Sequence, residues 1–300
     1  MNMKKRIFAI LTLAAITAMM AGCGSSNDSG NGSGAADGGS DLGMITVVSR
    51  EDGSGTRGAF IELMGIEQKD ADGNKTDMTT VDAMITNKTD VMLSTIAGDP
   101  AAIGYVSLGS LNDNVKALQI DGAEATAENV KSGTYKVARP FNIATKGEPT
   151  GVAKDFINYI LSADGQKIVS EDYISISDDA AAFETDGSSG KIVVGGSSSV
   201  FSLMEKLAEG YEAINGAAEI EVQSSDSTAG MSGAADGTFD IGMASRALKD
   251  DEAAQLTGTV IANDGIAVIV NNENAISGLT SEQVQKIYTG EITDWSEVAE

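Results

Sequence analysis

The sequence predicts an α/β protein, and three observations carry the prediction. Short β-rich runs alternate with apolar segments of helical spacing in both halves of the chain from Ile45 onward. The composition, 42% hydrophobic and 21% charged over 300 residues, is that of a globular chain with a substantial core. Several of the predicted strands also run directly into glycine- and hydroxyl-rich turns, which is where helices start and where open α/β folds place their ligands. In chain order, the strand predicted over 45–49 is followed by the helical stretch RGAFIELM, and a second strand is predicted over 103–106. A helix over 156–161 and a strand over 192–194 come next. The clearest helix then spans 200–211, where Val200, Leu203, Met204, Leu207 and Tyr211 share one face and are read as core. Strands over 220–222, 239–243 and 266–270 complete the alternation.

Charge and cysteine content remove whole classes of function. Forty-four Asp and Glu face 20 Lys and Arg, a net charge of -24, so nucleic acid or an anionic lipid surface is repelled as a main partner. Any bound anion must be held by local geometry. With no His and a single Cys, His-based triads, Cys/His zinc sites and intrachain disulfides are all excluded. That Cys follows Lys4, Lys5 and Arg6, an apolar stretch from Ile7 to Met20, and Ala21-Gly22, which together resemble a bacterial lipoprotein signal. The resemblance implies a leader over 1–22, lipidation of Cys23 and attachment to the outer side of the cell membrane. Residues 23–41, almost without apolar side chains, are expected to be a tether. Its 18 residues from Gly24 to Asp41 span roughly 20 to 25 Å as a coil. A second polar stretch, 178–190, separates the segments 42–177 and 191–300, and its Phe183 is read as a local packing contact.

Three strand-to-helix turns share one chemistry. Arg50 leads into Glu51-Asp52-Gly53-Ser54-Gly55-Thr56; Val194 leads into Gly195-Gly196-Ser197-Ser198-Ser199; and Val222 leads into Gln223-Ser224-Ser225-Asp226-Ser227-Thr228. A helix N-terminus offers N–H groups without intrahelical partners and a partial positive charge, while Gly admits close approach and Ser or Thr adds a hydroxyl. One such turn is only an N-cap. Three, one of them led by an Arg able to make a two-pronged contact, suggest a converging oxyanion cradle. Other motifs fail: Asp70-Ala71-Asp72-Gly73-Asn74 opens like a calcium loop, but Lys75 and Val81 stand where Gly and Glu are required, so it is read as a turn. No Walker or dinucleotide fingerprint occurs, and no carboxylate pair is singled out for acid/base work. No catalytic residue, metal site or cofactor is expected.

The stretches ITVVSREDGSGT (45–56) and AIGYVS (102–107) resemble the second half of the phosphate ABC-transporter substrate-binding protein family. GGSSSV (195–200), FDIGMASR (239–246), IANDGIAVIV (261–270) and IYTGEITDW (287–295) resemble its first half. The resemblance implies a bilobal periplasmic-binding-protein-like fold, two α/β lobes with a ligand cleft between them. It also implies capture of inorganic phosphate outside the membrane, delivery to ABC-transporter permease subunits, and a monomeric protein. The two halves stand in reversed order. A circular permutation accounts for this, since the end of the chain matches the point from which the strand near Ile45 would continue. A truncated tandem, or halves that complete each other between chains, are the alternatives.

Carried over by motif, the phosphate site comprises Arg50, Ser54, Gly55 and Thr56 from one turn, Ser199 and the Val200 backbone from the second, Ser227 from the third, and Ser245. At Ser245 some members of the family have an Asp that accepts the proton of hydrogen phosphate, whereas here Ser245 is followed by Arg246. Asp226 and Asp52 are the nearby carboxylates that could serve instead. A ligand-dependent sensor or surface interaction protein, a binder of another tetrahedral oxyanion, and a phosphate-ester hydrolase without an evident base are the competing readings.

Overall fold

Two crossing strands organise the molecule. The computed structural model describes residues 42–70 and 74–298, so the leader, Cys23 and the tether lie outside the described residues. The first lobe holds strands β1 (Thr46–Arg50), β2 (Met84–Thr86), β3 (Ala102–Ser107) and β4 (Val115–Ala117), with helices α1 (Gly55–Leu63) and α2 (Thr89–Gly98). The second holds β5 (Ala138–Thr145), helices α3 (Gly151–Leu161) and α4 (Ala163–Asp172), β6 (Gly190–Ser197), α5 (Ser198–Ile214), β7 (Ala218–Ser225), α6 (Ser227–Asp236) and β8 (Ile241–Ala244). The long strand β9 (Thr257–Asn271) then passes from the second lobe back to the first, where α7 (Ser281–Thr289) follows.

These nine strands form one sheet, ordered β7-β6-β8-β5-β9-β3-β1-β2, with β4 also on β9. Residues Thr257 to Gly265 of β9 run antiparallel to β5, and Ile266 to Val270 run antiparallel to β3. β6, β7 and β8 are mutually parallel, as are β1, β2 and β3 around β1. The two lobes therefore meet where β9 and the chain entering β5 cross, near residues 136–140 and 263–266. The Ile266 N–H donates to the Val137 carbonyl (2.7 Å) and the Tyr135 hydroxyl to the Ile266 carbonyl (2.8 Å) at that crossing. The described elements form one compact unit.

Each lobe has its own core, and neither core coincides with segment 42–177 or segment 191–300. One core gathers Val47, Phe60, Ile103, Tyr105, Tyr135, Ile266, Val268, Ile287, Tyr288 and Trp295; the other gathers Phe141, Phe156, Ile192, Val194, Leu207, Tyr211, Met243 and Ile261. The five residues assigned to the buried face of α5 are all buried. Phe183 packs as expected, edge-on to Tyr159 with centroids 5.1 Å apart. α6 was not legible from propensity, because STAGMSGAAD dilutes its Ala and Met with two Gly and with Ser, Thr and Asp. Its glycines serve packing: a Cβ at Gly230 would stand 2.7 Å from Gly196 Cα and from the Met243 carbonyl, so α6 lies directly on the sheet. The turn read at residues 70–74 has its flanks in place, with Lys69 opposite Lys75 and the Asn74 N–H on Asp70 Oδ1 (2.8 Å); residues 71–73 lie outside the described residues.

The two ends of the described chain also meet. The Ile45 N–H donates to the Thr293 carbonyl (2.8 Å), the Trp295 N–H to the Gly43 carbonyl (3.0 Å), and the Trp295 indole to the Ala101 carbonyl (2.9 Å).

Candidate ligand-binding cleft

The first turn is anchored by aromatic packing below it. Phe60 of α1 stacks on Tyr105 of β3 with centroids 4.0 Å apart, and Tyr288 of α7 packs edge-on to Phe60 at 4.9 Å. Burial pushes the Tyr105 hydroxyl above its ordinary pKa, so it remains a neutral partner; it pairs with Ser49 Oγ (2.8 Å) and accepts from the Arg50 N–H (3.1 Å). The end of β1 is thus fixed where Arg50 leaves it. Arg50 is 2% exposed. Its Nε and Nη2 each donate to the Glu51 carboxylate at 2.8 Å, leaving the Nη1/Nη2 edge toward Ser198 Oγ (3.1 Å) and Thr89 Oγ1 (3.5 Å). Ser54 caps α1, accepting from the Arg57 N–H (3.3 Å), and places Gly55 and Thr56 in its first turn.

The opposite lobe supplies three further strand ends. Ser197 caps α5, accepting from the Ser199 N–H (3.3 Å), and Val200 stands in the first turn with its side chain in the core. Asp226 caps α6, accepting from the Ala229 N–H (2.8 Å), which brings Ser227 to the first helical position. Ser245 follows β8, and its N–H donates to Ser227 Oγ (3.1 Å) while its Oγ receives the Ser197 hydroxyl (2.9 Å).

Across the cleft the two sets touch. Thr56 Oγ1 and Ser199 Oγ are 2.8 Å apart, and Thr89 Oγ1 lies 3.4 Å from Ser199 Oγ. The Thr228 N–H donates to the Gly53 carbonyl (3.2 Å). Gly55 permits this closeness: a Cβ there would collide with Ser227 Oγ and stand 2.8 Å from Ser245 Oγ. Arg50, Ser54, Gly55, Thr56, Ser199, Val200, Ser227 and Ser245 are all brought to one buried interlobe position. Sequence reasoning missed Thr89, the N-terminal residue of α2, and the bridging hydroxyls of Ser197 and Ser198. The signal for Thr89 was present in Thr86-Asn87-Lys88-Thr89, another hydroxyl-bearing strand-to-helix turn, but β2 has only three residues and was not recognised.

The carboxylates considered as proton acceptors are differently placed. Asp52 is 96% exposed in its side chain and pairs with Arg57 (2.8 Å), outside the cradle, because the turn directs it to solvent. Asp226 is held by its cap. Arg246, next to Ser245, is engaged by Glu252 through two 2.7 Å contacts and reaches Thr228 Oγ1 at 3.4 Å. A cavity of about 390 Å³ opens beside Thr89 and Ser198 toward Lys88 and Phe201. Among the described residues no group of three or more Cys, Asp or Glu side chains could hold a metal ion.

This arrangement can bind a small oxyanion by hydrogen bonds from several helix N-termini and one guanidinium, with Arg50 and the hydroxyl residues Thr56, Thr89, Ser199 and Ser227 buried. Two α/β lobes joined by crossing strands, with such a cradle between them, make a solute-binding protein. The PBP superfamily domain matches residues 9–164 and 181–300. Phosphate-binding protein PstS 2 of Streptococcus agalactiae is 50% identical over 298 residues, covering 97% of this chain and 98% of that one. The crystal structure of a phosphate ABC transporter, phosphate-binding protein from Streptococcus pneumoniae TIGR4 is 44% identical, covers 85% of this chain and 100% of that one, and superposes with a TM-score of 0.68. Phosphate-binding protein PstS of Bacillus subtilis is 38% identical over 137 residues, 45% of this chain and 42% of its own. The chain belongs to the PBP superfamily and, within it, to the PstS-like phosphate-binding proteins. This is a family of transporter substrate-binding proteins rather than enzymes.

Proposed function

We propose that the protein captures inorganic phosphate in the interlobe cleft, outside the membrane, and delivers it to the permease of an ABC transporter. The observation that carries this reading is the convergence of Arg50 with the N-termini of α1, α2, α5 and α6 on one buried point. The Nη1/Nη2 edge of Arg50 would take two ligand oxygens. The hydroxyls of Thr56, Thr89, Ser199 and Ser227 and the N–H groups of the first helical turns would take the rest, and direct contacts such as Thr56–Ser199 would give way to contacts through the ligand. Ser245 is the group that would meet a protonated oxygen. A hydroxyl can accept that hydrogen bond, and unlike a carboxylate it does not repel sulfate strongly.

The leader-like residues 1–22 and Cys23 support a lipid-anchored, extracytoplasmic protein tethered by residues 23–41, and a cradle supplied on both sides by one chain supports a monomer. Among the described residues no helix is long and apolar enough to cross a membrane. A circular permutation is supported by the reversed order of the family-like segments and by the meeting of Gly43 with Trp295, where such a joint could be opened. Calorimetric titration of the chain from Asp41 onward with phosphate, sulfate, molybdate and a phosphate ester tests the ligand. Tight, one-to-one binding of phosphate is expected, and absence of phosphate binding refutes the reading.

A further inference from the structure

Away from the cradle, one carboxylate is buried completely. Asp264 stands directly opposite Arg139 in the β9–β5 register, at the point where both strands cross between the lobes. The two side chains are 1% and 2% exposed. Arg139 Nη2 and Nε reach the same oxygen, Oδ2, at 3.2 and 3.4 Å, and Nη1 has no hydrogen-bond partner among the described residues. The other oxygen, Oδ1, accepts from Ser107 Oγ at 2.9 Å. Ser107 ends β3 in the first lobe, whereas Arg139 begins β5 in the second. One carboxylate therefore holds both lobes, an oxygen to each.

Stability alone does not explain such a pair. Burial pushes the Asp264 carboxyl up to about 6 despite Arg139 and Ser107, so the charged form is held against its desolvation. A buried ion pair with an unmade hydrogen bond is often matched by apolar residues of the same volume. Its position supplies the reason. Asp264 and Arg139 lie within the two segments, 263–266 and 136–140, that carry the chain between the lobes, so any change of the angle between the lobes acts on them.

We infer that Asp264 is the positioning residue of the hinge: by binding Ser107 and Arg139 together it sets the angle between the lobes, and so the affinity of a cleft that it does not touch. The inference rests on the cleft being the ligand site, but not on the ligand being phosphate.

The test uses the chain from Asp41 onward, which contains no Cys, labelled at Val81→Cys in the first lobe and Ile214→Cys in the second, both exposed. Pulsed electron spin resonance reads the distance between labels with and without inorganic phosphate, and calorimetry reads affinity. Asp264→Asn should lengthen and broaden the distance distribution and weaken phosphate binding by roughly ten-fold or more, within the usual range of coupling between sites. Ser107→Ala, which removes one hydroxyl and tests the same hold if Asp264→Asn does not fold, should move both readings in the same direction by less. Wild-type distances and affinity in these variants, with or without a lower melting temperature, overturn the inference. A changed distance in the unliganded variants, together with no phosphate response in the parent protein, leaves the hinge standing and removes phosphate as the ligand.

Discussion

Replacing Arg50 by Ala is the most direct perturbation of the cradle. Arg50 contributes one buried guanidinium, whose ligand-facing edge now meets Ser198 and Thr89. Two charge-assisted hydrogen bonds at about 1.5 to 3 kcal/mol each bound the direct loss near 3 to 6 kcal/mol. Non-additivity within one site brings the expectation toward the lower half, about 3 to 4 kcal/mol. Glu51 adds to the loss, because it is only 21% exposed and would be left as an unpaired carboxylate beside an arriving anion. The affinity for phosphate should therefore fall by roughly 100- to 1,000-fold, at about 1.4 kcal/mol per decade. Arg50→Lys should recover part of it, since a point charge replaces a planar fork. Arg50→Ala with Glu51→Gln should bind better than Arg50→Ala alone, which separates the lost bonds from the exposed repulsion. Calorimetric titration with phosphate measures all three. An Arg50→Ala affinity within about three-fold of the parent, less than a single weak hydrogen bond, would refute the assignment.

Ser245→Asp should raise the preference for phosphate over sulfate in competition titrations, because the carboxylate accepts a proton from hydrogen phosphate and repels the proton-free oxygen of sulfate; an unchanged ratio with unchanged phosphate affinity would place Ser245 outside the site. Gly55→Ala should weaken phosphate binding by about 2 kcal/mol or more, since its Cβ meets Ser227 Oγ and Ser245 Oγ and forces the lobes apart, and calorimetry showing parental affinity would contradict the close approach. The Ser281 hydroxyl and N–H hold the Asp121 carboxyl below its ordinary value of 3.8, so its contribution to stability is present above that pH and is lost as pH falls through the lowered value. Asp121→Ala should accordingly melt lower than the parent at pH 7, with the gap narrowing below about pH 4, and a gap that stays constant in acid would count against this linkage.

The parts of the fold that were legible in the sequence are those whose local pattern agrees with their tertiary role. α5 buries an amphipathic stripe, and β1, β3, β6 and β9 carry apolar β-branched runs, so periodicity found them. β5 was missed because Ala138-Arg139-Pro140 opens it with two residues that read as loop, although Arg139 is paired across the sheet and Pro140 stands near the hinge. α2 and α4 were missed because Ser, Thr and Asp dilute their apolar faces. The cradle was legible through the chemistry of three turns. The hydroxyl of Thr89 was not, because it follows a three-residue strand, and the lobe boundaries were not, because the first lobe is assembled from residues distant in sequence.

That division gives the two lobes different histories during synthesis and export. The second lobe is one continuous stretch, with its core between Phe141 and Ala262, and can complete its packing once that stretch is free. The first lobe packs Val47 and Ile103 against Ile266, Ile287 and Trp295, so its sheet waits for the segment from Ile266 to Trp295 to emerge. Until then Met92, Leu93 and Ile96 lack the neighbours Ala267 and Ile269 that cover them in the folded protein. The early half of the chain thus carries an unfinished apolar surface until the segment from Ile266 onward has emerged, and is meanwhile the part most exposed to proteases.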